Sequence, residues 1–115
     1  MAPGETTPAK LIALYTQPEN PAEFDRAYFD THMPLVEKIP GLARVEVAKI
    51  NSNMMGGAAP YYMIAELTFD SLEDLHSGMN SPQGREAGKN LMSFAAKNVT
   101  ILTSEITNLQ GAGVF

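Results

Sequence analysis

Apolar residues recur along this chain with two different periods, and the points where the period changes mark its predicted elements. Ala9 to Thr16 is a short apolar run bounded by Pro8 and by Gln17-Pro18. It predicts a strand buried on both faces, with Leu11, Ala13 and Tyr15 on one side and Ile12 and Leu14 on the other. At Asn20-Pro21-Ala22-Glu23 the period becomes helical: Asn20 can cap, Pro21 suits the first helical position and Glu23 can close a capping box. Phe24, Asp25, Tyr28, His32, Leu35, Val36 and Ile39 then share a stripe about 120° wide on a helical wheel. Within it, Pro34 removes the N–H that would bond the Asp30 carbonyl and disfavours helical geometry at Met33, so a break is expected beside His32. Pro40-Gly41 ends the helix.

Period two returns from Leu42 to Ile50, a strand with one more polar face, and Asn51 to Pro60 is rich in turn formers. That loop reads as a flexible flap carrying Met54 and Met55. Tyr61 to Phe69 is the clearest strand, with Tyr61, Met63, Ala65, Leu67 and Phe69 on one face and Tyr62, Ile64, Glu66 and Thr68 on the other. Ser71 and Asp74 stand at capping-box spacing for a short helix with Leu72, Leu75, His76 and Met79 inward. Ser81-Pro82 opens a second helix with Ala87, Leu91, Phe94 and Ala95 inward. Gly84 and Gly88 cost that helix about 1 kcal/mol each relative to alanine, and close packing is the expected reason for both. Val99 to Ile106 is β-branched and predicts a last strand. Residues 1–8 read as a flexible leader and 109–115 as a tail, which leaves one domain over 9–108.

The order strand, helix, strand, strand, helix pair, strand predicts an α+β fold. Two right-handed β-α-β crossovers give a ferredoxin-like, four-stranded antiparallel sheet with helices on one face. Ile12, Leu14, Tyr62, Ile64, Leu102 and Ile106 would then line the bare face, an apolar patch too large to leave in water. A second copy of the same sheet is the economical cover, so a two-fold homodimer through the sheet faces is expected.

Composition changes this picture by exclusion. The 115 residues suit one domain, and a net charge of −5 without a basic stripe argues against nucleic acid. No apolar run approaches the roughly 20 residues of a membrane span, and no signal peptide opens the chain, so a cytoplasmic protein is expected. With no cysteine, disulfides, thiolate nucleophiles and Cys-based metal sites are excluded.

The chemistry-bearing residues gather near the first helix. A neutral imidazole at His32, on an apolar face near Tyr28 and Asp25, suits a general base. The plainer alternative is a histidine that bonds a backbone carbonyl freed by Pro34 and closes the helix end. Tyr15 at a strand end and Tyr28 one turn before His32 can donate to an enolate or carbonyl oxygen, or simply pack with satisfied hydroxyls. Tyr61 and Tyr62 lie on opposite strand faces, and Tyr61 is assigned to the helix side, where it can join a pocket. His76 reads as structural. Two histidines on separate helices lack a third clear ligand, so neither a metal nor any other cofactor is expected.

Leu14-Tyr15, Phe24, Tyr28, the run His32-Met33-Pro34-Leu35-Val36 and Pro40-Gly41-Leu42 together resemble the EthD family, within the dimeric α+β barrel group. The likeness continues through Phe69, Ser71-Leu72 and Ser81-Pro82-Gln83-Gly84 and spans about residues 10 to 106. The family takes its name from ethyl tert-butyl ether degradation genes, and its reductase label finds no dinucleotide fingerprint here. Related barrels include muconolactone-type isomerases, polyketide cyclases and cofactor-free monooxygenases. The resemblance implies a small pocket between sheet and helices for an apolar, enolisable or aromatic ligand. It departs from the family where an Asp and an Asn-Phe pair are usual and this chain has Asn90 and Ser93-Phe94. Two functions are therefore expected alternatives: a cofactor-independent enzyme of catabolic or secondary metabolism, isomerase, cyclase or monooxygenase in type, or a ligand-binding accessory protein.

Overall fold

The computed structural model describes residues 7–107. The leader expected over 1–8 therefore lies outside the described residues except for Thr7 and Pro8, and the tail over 109–115 lies wholly outside them. Strand β1 (Ala9–Tyr15) leads to α1 (Pro21–Arg26), which passes through a π-helical segment (Ala27–His32) into α2 (Met33–Val36). Strands β2 (Leu42–Lys49) and β3 (Met63–Phe69) follow, then α3 (Leu72–Asn80), α4 (Pro82–Ala95) and β4 (Val99–Glu105). The sheet order is β2-β3-β1-β4 with every neighbouring pair antiparallel, the ferredoxin-like arrangement. No helix among the described residues is long and apolar enough to cross a membrane.

Local chemistry sets the helix ends as expected. The Asn20 side chain accepts the Glu23 N–H at 3.1 Å with Pro21 at the first position, and Ser71 accepts the Asp74 N–H at 3.0 Å. Ser81 serves two helices at once: its hydroxyl donates to the Gly78 carbonyl that closes α3 and accepts the Gly84 N–H that opens α4, at 3.0 Å. That junction explains Gly84, because a Cβ there would stand 2.6 Å from the Met79 carbonyl oxygen. Gly88 differs. A Cβ at that position would meet nothing within 4 Å, so the close packing expected of it is absent.

The strands bury alternate residues against the helices: Ala9, Leu11, Ala13 and Tyr15 of β1, and Met63, Ala65, Leu67 and Phe69 of β3. Two clusters share this layer. One is aliphatic around a single ring, with Leu11, Val36, Ile39, Leu67, Phe69 and Leu75; the other is aromatic, with Tyr15, Phe24, Tyr28, Met63 and Leu91. In β2 an irregularity between Leu42 and Arg44 puts Leu42 opposite Phe69 and Arg44 opposite Thr68. The strict alternation read from the sequence fails there, and Leu42 joins Val45 in packing against the aliphatic cluster.

The helix-free face carries Ile12, Leu14 and Ile64, half-buried, and Leu102, exposed. Beside them lie ion pairs, Lys10 with Glu66 at 3.5 Å and Arg44 with Glu46 at 3.0 Å. Tyr62 is not on this face. Strand β3 begins at Met63 rather than Tyr61, so both tyrosines precede the pleat and its alternation does not govern them. Tyr62 turns to the helix side, where its ring meets Phe24 edge-on at 5.9 Å.

Candidate functional site

The helix expected from Asn20 to Ile39, with a break beside His32, is in three consecutive parts, and the middle part builds the site. In an α-helix, side chains at i and i+4 drift by about 40° per step. Across Phe24, Tyr28, His32 and Val36 that drift would carry the last residue well off the first one's face. The π segment, with its wider i→i+5 turn, takes up this drift, and all four residues are buried. Its bonding is visible at the end, where the Met33 N–H donates to the Tyr28 carbonyl five residues back. The wider turn also receives Pro34 without the clash its ring makes with an α-helical turn.

Around this face the rings stack in sequence. Tyr15 meets Phe24 at 5.6 Å and Tyr28 at 5.4 Å, both edge-on; Tyr28 meets His32 at 5.2 Å; and Phe94 of α4 lies 6.1 Å from His32 and 5.5 Å from Phe24. His32 is only 5% exposed and, beside the tyrosines, is the one buried polar side chain among the described residues. Its Nδ1 lies 3.2 Å from Asn90 Oδ1, which can only accept, so Nδ1–H donates and Nε2 holds the lone pair. Burial drives the imidazole pKa below its usual value, and the Asn90 bond only partly offsets that, so the ring is neutral near pH 7. Among the described residues no buried polar side-chain atom lacks a partner and none bonds Nε2, so Nε2 borders accessible space.

That space is a cavity of about 50 Å³ between sheet and helices. Tyr15, Tyr28 and His32 are its polar lining, and aliphatic side chains from both clusters make the rest. Burial raises the pKa of both tyrosines, with the neighbouring Tyr28 adding to the rise at Tyr15, so both hydroxyls stay protonated. Their rings meet edge-on at 5.4 Å at the cavity wall, and each protonated hydroxyl has an O–H to donate. The cavity thus sets a base beside a hydroxyl donor in apolar surroundings. Its volume in this conformation suits a water or two; benzene needs about 150 Å³.

The structure therefore brings His32, Tyr15 and Tyr28 together and leaves Tyr61 out. Tyr61, half-buried ahead of β3, lines no part of the cavity. Asp25 does not orient the imidazole either. Its carboxylate accepts from Lys49 and, at 2.8 Å, from the Tyr62 hydroxyl, and Lys49 donates to the same hydroxyl at 2.9 Å. Partial burial would raise the Asp25 pKa, but the bonds from Lys49 and Tyr62 outweigh it and hold the carboxyl below its usual value. The residue that sequence reasoning missed as the ring's partner is Asn90, 58 positions away on α4. Its signal was present, since it stands where the family's carboxylate was expected. The carbonyl that Pro34 was expected to free plays no part at Nδ1. His76 is on the surface. Among the described residues no group of three His, Asp or Glu side chains is placed to hold a metal ion.

Comparison with known proteins places these features in a family. The EthD domain matches residues 16–98. An uncharacterised 11.0 kDa protein from the thcB–thcC intergenic region of Rhodococcus erythropolis is 32% identical over 96 residues, which is 84% of this chain and 92% of that protein. The crystal structure of an EthD family protein from Bacillus halodurans is 41% identical with a TM-score of 0.83, over 87% of this chain and 99% of that one. More distant structures share the fold alone. A dimeric ferredoxin-like protein of unknown function from Jannaschia is 18% identical with a TM-score of 0.65, over 86% of this chain and 99% of that one. SnoaB, a cofactor-independent oxygenase from Streptomyces nogalater, is 14% identical with a TM-score of 0.63, over 93% and 98% respectively.

Proposed function

The chain belongs to the EthD family, and on that footing we propose that it is a cofactor-independent enzyme moving a proton on a small apolar or aromatic substrate. Isomerisation, cyclisation and oxygenation of an enolisable or phenolic compound all begin with that step. The observation that carries the reading is the free Nε2 of a neutral, buried His32 at the wall of a cavity whose other polar groups are hydroxyl donors. His32 Nε2 takes the proton, Asn90 holds the ring in the required tautomer, and a hydroxyl of Tyr15 or Tyr28 stabilises the oxyanion that forms. The likeness in fold to a cofactor-independent oxygenase supports the class. A homodimer through the bare sheet face completes the proposal, supported by Ile12, Leu14, Ile64 and Leu102 there and by the dimeric protein of similar fold.

The test needs no physiological substrate. A panel of β-diketones and phenols incubated in D₂O and followed by NMR should show accelerated C–H exchange with the wild type and at least a hundredfold less with His32→Gln. Equal exchange in both proteins overturns the role of His32. The small volume of the cavity favours a second reading, a ligand-binding accessory protein of a degradation pathway, and binding without exchange supports it.

A further inference from the structure

We infer that Gly88 is the doorway of the His32 cavity, kept without a side chain so that a small molecule can reach the imidazole between α4 and the outer strand β4. This rests on the reading of that cavity as a ligand site and adds how it is reached. Three glycines on α3 and α4 invite comparison. At Gly78 a Cβ would stand 2.6 Å from the Pro40 carbonyl oxygen, and Gly84 is crowded by the backbone at the end of α3. Both are required by packing. Gly88 sits inside the same helix with nothing within 4 Å of a Cβ, so packing gives no reason to accept its helix-weakening effect.

Its position supplies one. Gly88 lines the cavity, and it is half-buried rather than buried. Among the lining residues only Gly88, Met79 and Ile101 escape full burial, so the cavity meets solvent at these three. Ile101, 43% exposed, stands opposite Ala13 on the helix side of the edge strand. Opposite it the helix presents a bare Cα. Beyond the mouth the cavity runs between the sheet and the helices to His32, which is part of its lining. Met79, unbranched and adaptable, can shift to widen the mouth.

Diethyl pyrocarbonate, which acylates neutral imidazole nitrogen, is the probe. His76, exposed on α3, serves as the internal standard in the same molecule. The full chain is treated near pH 6.5 and each histidine is followed by mass spectrometry, in the wild type, Gly88→Ala and Gly88→Leu. Labelling of His32 should slow at least tenfold in Gly88→Leu and by less in Gly88→Ala, with His76 unchanged. Both variants should be folded, and Gly88→Ala should melt about 4 °C higher than the wild type. An unlabelled His32 in the wild type, an unchanged His32 rate in Gly88→Leu, or a lower melting temperature for Gly88→Ala overturns the inference. If Gly88→Leu blocks labelling while His32→Gln retains proton exchange, the doorway stands and the base assignment falls.

Discussion

The aliphatic and aromatic halves of the covered layer bury similar strand positions, yet they divide the work of the molecule. In the aliphatic half, Leu11, Leu67, Phe69 and Leu75 surround no polar side chain, and their contribution is burial. In the aromatic half, each large ring brings a polar atom or an edge to be satisfied: the hydroxyls of Tyr15 and Tyr28 at the cavity, the Tyr62 hydroxyl on Asp25, and His32 on Asn90. Buried polar groups need partners at fixed places, so the aromatic half is specified by geometry where the other is specified by volume. The cavity lies on the seam between them, with His32 at its wall.

The comparison breaks most visibly at Phe69. Its ring is fully buried and packs under Gly78 and Gly41, so Phe69→Ala should cost about 3–5 kcal/mol in urea unfolding. Loss of less than 1 kcal/mol would mean that the aliphatic half is not the stabilising one. Asn90→Asp acts on the other half. A carboxylate facing Nδ1 favours the imidazolium, so the His32 pKa should rise by about 1–3 units in an NMR titration. The linkage should change sign with it. In the wild type the folded pKa is below the unfolded value of 6.5, so stability is present above pH 6.5 and lost as the pH falls through the folded value. With the folded pKa raised above 6.5, the added stability is present below pH 6.5 and lost as the pH rises. An unmoved titration would show that Asn90 does not hold the ring. The smallest effect belongs to Lys49→Met, which removes a half-exposed partner of Asp25 and should cost under about 1 kcal/mol with the His32 titration unchanged.

The two halves were also unequally legible. Alternation in β1 and β3 predicted Leu11, Leu67 and Phe69 of the aliphatic half, because volume and period are local properties of the sequence. The β2 irregularity escaped, since a register shift is decided by the partner strand. On the aromatic side, the face shared by Phe24, Tyr28 and His32 was readable from spacing. The Asn90 partner was not, because it comes from an element 58 residues on, and the choice between Tyr61 and Tyr62 depended on where the pleat begins.

The π segment has a consequence for how this chain tolerates length change. A turn closed at i→i+5 holds one residue more than the helical ladder on either side requires. Phe29, Asp30 and Thr31 are the exposed residues of that segment, and one of them is the surplus. Removing it would leave a helix of ordinary pitch that still covers the sheet but turns Phe24 and Tyr28 away from His32. The extra residue is thus a spacer whose service is angular: the fold can lose it, and the alignment of ring, hydroxyl and cavity cannot.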